Sequence, residues 1–241
     1  MQKGLDIIFE DDSVVVVNKP PFILSIPDRS GKDPNNILSM LRETRDSVFT
    51  VHRIDKETSG AIVFAKTAEA HRHLSMQFEN RETKKVYLTL VDGVLHTESG
   101  TINNPITEHP SIAGKMMVAK KGKDAITDFK LRKSYKLFSL VEADIKTGRM
   151  HQIRVHFQSI GYPLAVDKLY GKREELFADE IKTKKFKMGD EEGRVPLIKR
   201  STLHAQTLSF THPVTLERVT FEAPLPKDFR AVIQQLERWG K

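Results

Sequence analysis

The stretch His52–Gly60, HRIDKETSG, runs directly into Ala61–Lys66, AIVFAK, where a charged loop meets an apolar strand. Ala61–Ala65 is apolar throughout, as expected of a strand buried on both faces. Thr58-Ser59-Gly60 can make the tight turn that feeds it, because Gly60 tolerates backbone angles that other residues resist. The loop's side chains then sit at the mouth of a sheet. Asp55 lies between Arg53 and Lys56, two cations that favour its ionised form. On spacing alone, a turn-stabilising Asp in a surface salt bridge is the simpler reading, since charged turns are common.

Working outward, Val14–Val17 is a second buried strand, closed by Asn18-Lys19-Pro20-Pro21, which cannot extend a ladder. Ile37, Leu38 and Leu41 mark a short helix. Thr67 caps another, with Glu69 in its first turn and Leu74 and Phe78 on its buried face. Strand Val86–Val91 has alternating character and turns at Asp92-Gly93; an inward Tyr87 on it reads as core with a satisfied hydroxyl. His96 to Lys123 is loop-like. Strands return at Ala125–Leu131 and at Leu137–Ile145, where Leu137, Ser139, Val141, Ala143 and Ile145 share one side.

The segment TGRMHQIRVHFQSIG, 147–161, reads as a helix with Met150, Ile153, Phe157 and Ile160 on one apolar stripe and Gly161 ending it. Arg154 flanks that stripe. It can reach inward as a bidentate partner for a carboxylate, or lie along the surface with its stem covering apolar neighbours. Residues 172–200 form a charged insert of both signs, read as a solvated excursion. His204–Phe210 and Arg218–Glu222 form a hairpin about Thr211-His212-Pro213. A last helix places Phe229, Val232, Ile233 and Leu236 on one face. Residues 1–241 contain no repeat and no dividing linker, so a single α+β domain is favoured.

Composition excludes several chemistries. The 241 residues include no cysteine, so disulfides, thiolate nucleophiles and Cys-ligated zinc are ruled out. His71 and His73, like His151 and His156, are not spaced to put two ligands on one helical face, and no metal site is expected. There is no Gly-rich phosphate loop and no Gly-x-Ser-x-Gly elbow. The formal charge of +7 suits a polyanionic partner. The start, MQKGLDIIFEDD, lacks a signal-peptide core, and no apolar run is long enough to span a bilayer, so a cytoplasmic protein away from membranes is expected.

These fragments, taken in order, resemble the RluA-type pseudouridine synthases. The resemblance is carried by NKPPFILSIP (18–27), HRIDKETSG with AIVFAK, KKVYLTLVDG (84–93), TGRMHQIRVHFQSIGYPL (147–164), DKLYG (167–171), LHAQTLSFTHPVT (203–215) and FEAPLPKDF (221–229). It runs from about Ile7 to Phe229, nearly the whole chain. One departure is that Ala165-Val166-Asp167 stands where the family often has Gly-Asp, a change that touches packing more than chemistry.

The resemblance implies an RNA pseudouridine synthase, an isomerase of the α+β pseudouridine synthase fold. Its central sheet would be mixed and mainly antiparallel, flanked by helices, and two subdomains would face a catalytic cleft. No separate N-terminal RNA-binding domain is expected. Asp55 would be the catalytic aspartate, Tyr87 the tyrosine that stacks on the target base, and Arg154 the ion-pair partner of Asp55. His52, Arg53 and Ile153 would contact the RNA, with Arg53 next to a flipped nucleotide. No cofactor and no metal are implied. The substrate would be tRNA or large-subunit rRNA and the protein a monomer. RNA selection would draw on Lys115, Lys120, Lys121 and Lys123 and on the charged insert. The competing reading is a non-catalytic RNA-binding protein on the same scaffold. A nucleoside glycosidase would need a second cooperating carboxylate, and none stands near a motif.

Overall fold

The computed structural model describes residues 4–28, 35–182 and 195–240. Along the chain, β1 (Ile7–Glu10), β2 (Val14–Lys19), α1 (Ile37–Arg42), β3 (Phe49–Thr50), β4 (Ser59–Ala65), α2 (Ala68–Glu79) and β5 (Lys84–Asp92) come first. They are followed by β6 (Ser99–Asn103), β7 (Ile106–Glu108), β8 (Met116–Val118), β9 (Ile126–Ser134), β10 (Phe138–Ile145), α3 (Gln152–Ser159) and α4 (Ala178–Ile181). The chain closes with β11 (Leu203–Thr211), β12 (Arg218–Glu222) and α5 (Lys227–Trp239). Two compact units result: the chain up to Tyr87 together with His204–Pro224, and Leu88–Leu203 together with the chain from Leu225.

In the first unit β4 is central. β2 and β3 pair with it antiparallel, β1 pairs antiparallel with β2, β11 runs parallel to β4, and β12 pairs antiparallel with β11. The four-valine run of β2 is fully buried because it serves two cores at once. Val14 and Val16 pack with Val63, Leu74 and Phe210, whereas Val15 and Val17 pack with Ile37, Leu41 and Phe64. A strand side-chain period of two splits the run in this way. The helices covering the two faces are both capped, α2 by Thr67 as expected and α1 by Asn36. The Asn36 side chain accepts from the Ser39 amide at 2.9 Å and the Thr67 hydroxyl from the Ala70 amide at 3.1 Å. Each cap contributes about 1 kcal/mol.

In the second unit β10, β9 and β6 form an antiparallel meander, with β7–β8 as a separate small hairpin. β6, β7 and β8 lie in the segment expected to be a loop. Among their residues only Ile102, Ile106 and Met116 are buried hydrophobics, too few to show a period. α5 buries Phe229, Val232 and Leu236 against Leu90, Phe138 and Val166.

Two expectations need correction here. The described ends of the 172–200 insert are not a solvated excursion, because Leu176, Ile181 and Ile198 are buried in the α5 core. Arg200 is fully buried and donates from Nε and Nη2 to the Asp228 carboxylate at 2.7 and 2.9 Å. Scattered single apolar residues in a charged run give no periodic signal; residues 183–194 lie outside the described residues. Helix α3 starts at Gln152, leaving Met150 outside it and exposed. The Gln152 amide oxygen instead accepts from the Thr147 hydroxyl at 2.7 Å and the Arg149 amide at 3.0 Å, holding 147–152 as a turn. Gly161 does end the helix, at φ 85°.

Candidate active site

The loop that carries Asp55 is tied down at both ends. Strand β2 runs on through Asn18 to Lys19, pairing these with Ala61 and Gly60, and stops where Pro20 has no amide to give. The Lys19 side chain is fully buried, and its ammonium donates to the carbonyls of Pro20, Ile23 and Lys56 at 3.0, 2.7 and 3.1 Å. The third bond fixes the residue after Asp55. On the other side the Ser25 hydroxyl donates to the Ile54 carbonyl at 2.9 Å and accepts from the Ile54 amide at 3.2 Å, fixing the residue before it. The Thr58 amide donates to the Asp55 carbonyl at 3.1 Å and closes the turn.

Beyond the turn, Gly60 sits at φ 118°, and a Cβ there would lie 2.1 Å from the Ala205 carbonyl oxygen. Only glycine lets β4 approach β11 so closely. The neighbouring Ser59 hydroxyl lies 2.9 Å from His204 Nδ1, and His204 Nε2 lies 3.0 Å from the Ala223 carbonyl. That carbonyl can only accept, so the proton is on Nε2 and the Ser59 hydroxyl donates to Nδ1.

Strand β5 brings Lys85 and Tyr87 to one face, two residues apart. The strand is buried from Lys85 onward, so the expected alternation is absent. Tyr87 feels Asp55 directly: burial first, and then the Asp55 negative charge, raise its phenol well above the ordinary value. The hydroxyl is therefore protonated at neutral pH. Lys85 holds its ammonium 5.5 Å from the Phe78 ring centre. His52 stacks on the same Phe78 ring, centroids 4.4 Å apart, and its Nε2 accepts from the Val63 amide at 3.2 Å. Burial, then the positive charge of Lys85, push His52 down to about 3. Its imidazole is therefore neutral at physiological pH. Arg53 is exposed beside it.

In the second unit, α3 grips its surroundings with alternate residues. Gln152 donates to the Ile126 carbonyl at 2.9 Å, and His156 bridges the Thr127 hydroxyl and the Asn104 carbonyl, each at 2.9 Å. Ile153 is buried. Arg154 donates from Nε and Nη2 to both oxygens of Asp167, at 2.6 and 2.8 Å, and its guanidinium lies 4.9 Å from the Tyr170 ring centre. Of the two readings for Arg154, the bidentate one holds, with a partner that the sequence did not point to. In DKLYG, Asp167 stands beside Lys168, and nothing in that spacing singles out a buried partner thirteen residues away. Lys115 lies 5.7 Å from the Tyr170 ring centre, and Lys120, Lys121 and Lys123 are exposed.

The profile of the family described as RNA pseudouridylate synthase matches residues 13–159, which takes in the Asp55 loop, β5 and all of α3. The chain is 37% identical over 94% of its length to the uncharacterized RNA pseudouridine synthase YhcT of Bacillus subtilis, spanning 70% of that protein. The chain belongs to the RNA pseudouridylate synthase family. Members are isomerases that convert uridine in RNA to pseudouridine, and this chain is one of them. It is also 38% identical over 97% of its length to the ribosomal large subunit pseudouridine synthase D of Neisseria meningitidis, of which it spans 61%. Among solved structures, human RNA pseudouridylate synthase domain containing 1 superposes with a TM-score of 0.70 at 26% identity, over 94% of this chain and 87% of that one.

The fold expected of a pseudouridine synthase, mixed and mainly antiparallel with flanking helices, is the one found. Within the first unit the structure brings Asp55 to Tyr87 and puts Arg53 and His52 in the same loop. Within the second it puts Ile153 and Arg154 on α3. No helix among the described residues is long and apolar enough to cross a membrane.

Proposed function

We propose that this pseudouridine synthase acts on uridines of large-subunit ribosomal RNA, with Asp55 as the catalytic carboxylate. The observation that carries the site is that burial and the Asp55 charge together raise the phenol of Tyr87, with both residues inside the span 13–159 that matches the family. The choice of RNA rests on relatives from Neisseria and Pseudomonas that are named for the large ribosomal subunit. Action as a monomer in the cytoplasm accompanies this reading.

The reaction breaks the bond between uracil N1 and the ribose anomeric carbon and makes one from that carbon to C5. C5 gives up its proton and N1 takes one, so the composition is unchanged. A uridine in folded RNA must first leave its stack, at a cost of a few kcal/mol. Stacking on the Tyr87 ring recovers about 1–3 kcal/mol, and Arg53 occupies the vacated position. Asp55 acts at the anomeric carbon, at C6 of the base, or on a ribose proton to open a glycal route. A protonated Tyr87 cannot take the C5 proton unless its own moves on. It therefore serves as a relay, passing its proton towards a carboxylate such as Asp55 while accepting the one from C5. Arg154, the basic residue that the resemblance carries to α3, is proposed to act in the same reaction.

Mapping pseudouridines in total RNA from cells lacking the protein, against the parent, tests the substrate. Loss of one or more sites in large-subunit rRNA is expected. Loss confined to tRNA would overturn the choice of RNA, and an unchanged map would favour the non-catalytic binding protein.

A further inference from the structure

The turn Asp167–Gly171, DKLYG, takes no part in the chemistry above, yet it is wired closely to Arg154. The Asp167 side chain is wholly buried and that of Arg154 nearly so. Besides Arg154, Asp167 Oδ1 accepts from the amides of Leu169 and Tyr170 at 2.9 and 3.1 Å. The Gly171 amide donates to the Asp167 carbonyl at 2.9 Å, and a Cβ on Gly171 would come within 2.8 Å of that oxygen. The turn's own backbone thus holds the carboxylate in place. Tyr170 lies against the guanidinium, and its hydroxyl accepts from the Met116 amide at 2.7 Å and is bonded to His151 Nδ1 at 2.8 Å. His151 is the left-handed residue, φ 56°, that starts α3. Both ends of the Arg154 linkage, the start of its helix and the tip of its side chain, meet in one turn.

We propose that Asp167, with Tyr170 against the guanidinium, is a positioning residue that sets the orientation of Arg154. This rests on the reading that Arg154 acts in the reaction. A planar guanidinium held through Nε and Nη2 by both oxygens of one carboxylate has one orientation. Without Asp167 the buried guanidinium loses this bidentate hold and the direction it fixes.

A double-mutant cycle tests this, using Asp167→Asn, Arg154→Lys and the pair together. Single-turnover rates are measured with ribosomal RNA from cells lacking the protein, alongside RNA affinity and melting temperature. Asp167→Asn should slow turnover by about 100-fold, the scale of an ångström-sized misplacement. RNA affinity should stay within about twofold, because only the transition state needs the exact orientation. In the Arg154→Lys background Asp167→Asn should add little, since it acts through Arg154. Asp167→Glu keeps the charge but pushes the guanidinium away, and should fold yet turn over at least about tenfold more slowly. Parental turnover in Asp167→Glu, or losses that multiply in the pair, would overturn the positioning role while leaving Arg154 in place. Parental turnover in Arg154→Lys would overturn the role of Arg154 itself and this inference with it.

Discussion

Replacing Lys19 with Met removes the cation that ties Asp55's loop to β2 while leaving a side chain of similar length. Three carbonyls, of Pro20, Ile23 and Lys56, lose the donor they share. The Lys56 carbonyl still accepts from the Phe22 amide at 2.8 Å, so two acceptors are left; at about 1–3 kcal/mol each they cost about 4 kcal/mol. Against this, Met avoids the desolvation of a fully buried ammonium, which offsets about half. The net loss is about 2 kcal/mol. For a chain of this size each kcal/mol lowers the melting temperature by about 2–4 °C, giving about 4–8 °C in all. Turnover at 25 °C, where the variant is still folded, should fall as well, because one of the two bonds that fix the residue after Asp55 is gone. Thermal melts by circular dichroism and single-turnover assays read the two effects. A melting temperature within about 2 °C of the parent would refute the anchoring.

Gly60→Ala should prevent folding or cost more than about 4 kcal/mol, because its Cβ would meet the Ala205 carbonyl at 2.1 Å; a soluble variant of parental melting temperature would contradict this. His52, held down to about 3 in the folded state, takes up a proton near pH 6.5 only when unfolded. Its contribution is complete above about pH 6.5 and is lost as pH falls towards 3, at up to about 1.4 kcal/mol per pH unit. His52→Phe, which retains a ring against Phe78, should flatten that acid limb in denaturant titrations; an unchanged slope would show that another group sets it. Tyr87→Phe should keep RNA affinity within about twofold, since the stacking ring remains, yet stall after the new carbon–carbon bond forms; parental turnover would show that the hydroxyl is idle.

Much of the first unit was legible in the sequence because its signals are local. A four-valine run, a Thr cap ahead of α2 and a glycine at the start of β4 each dictate their own surroundings. The strands within 96–123 were not legible, since each buries a single residue. The site divides in the same way. Asp55 reads as a charged turn until Lys19 and Ser25, distant in sequence, fix its neighbours from outside the loop. A sequence shows that Lys19 is charged, but not that it is buried among carbonyls. Arg154 was read as a candidate for a bidentate pair, whereas Asp167 was missed, because a partner thirteen residues away across a turn leaves no periodic trace. The stacking of His52 on Phe78 and its bond from the Val63 amide join residues distant in sequence and leave no local trace.

The most direct test compares the parent and Asp55→Asn proteins for release of tritium from C5 of uridine-labelled ribosomal RNA, since that hydrogen leaves only when C5 becomes the point of attachment. The substitution is isosteric, so melting temperature and RNA affinity should match the parent. The parent should release tritium in step with pseudouridine formed, and Asp55→Asn should release none above background. Tritium release by Asp55→Asn at the parental rate would remove Asp55 from the chemistry.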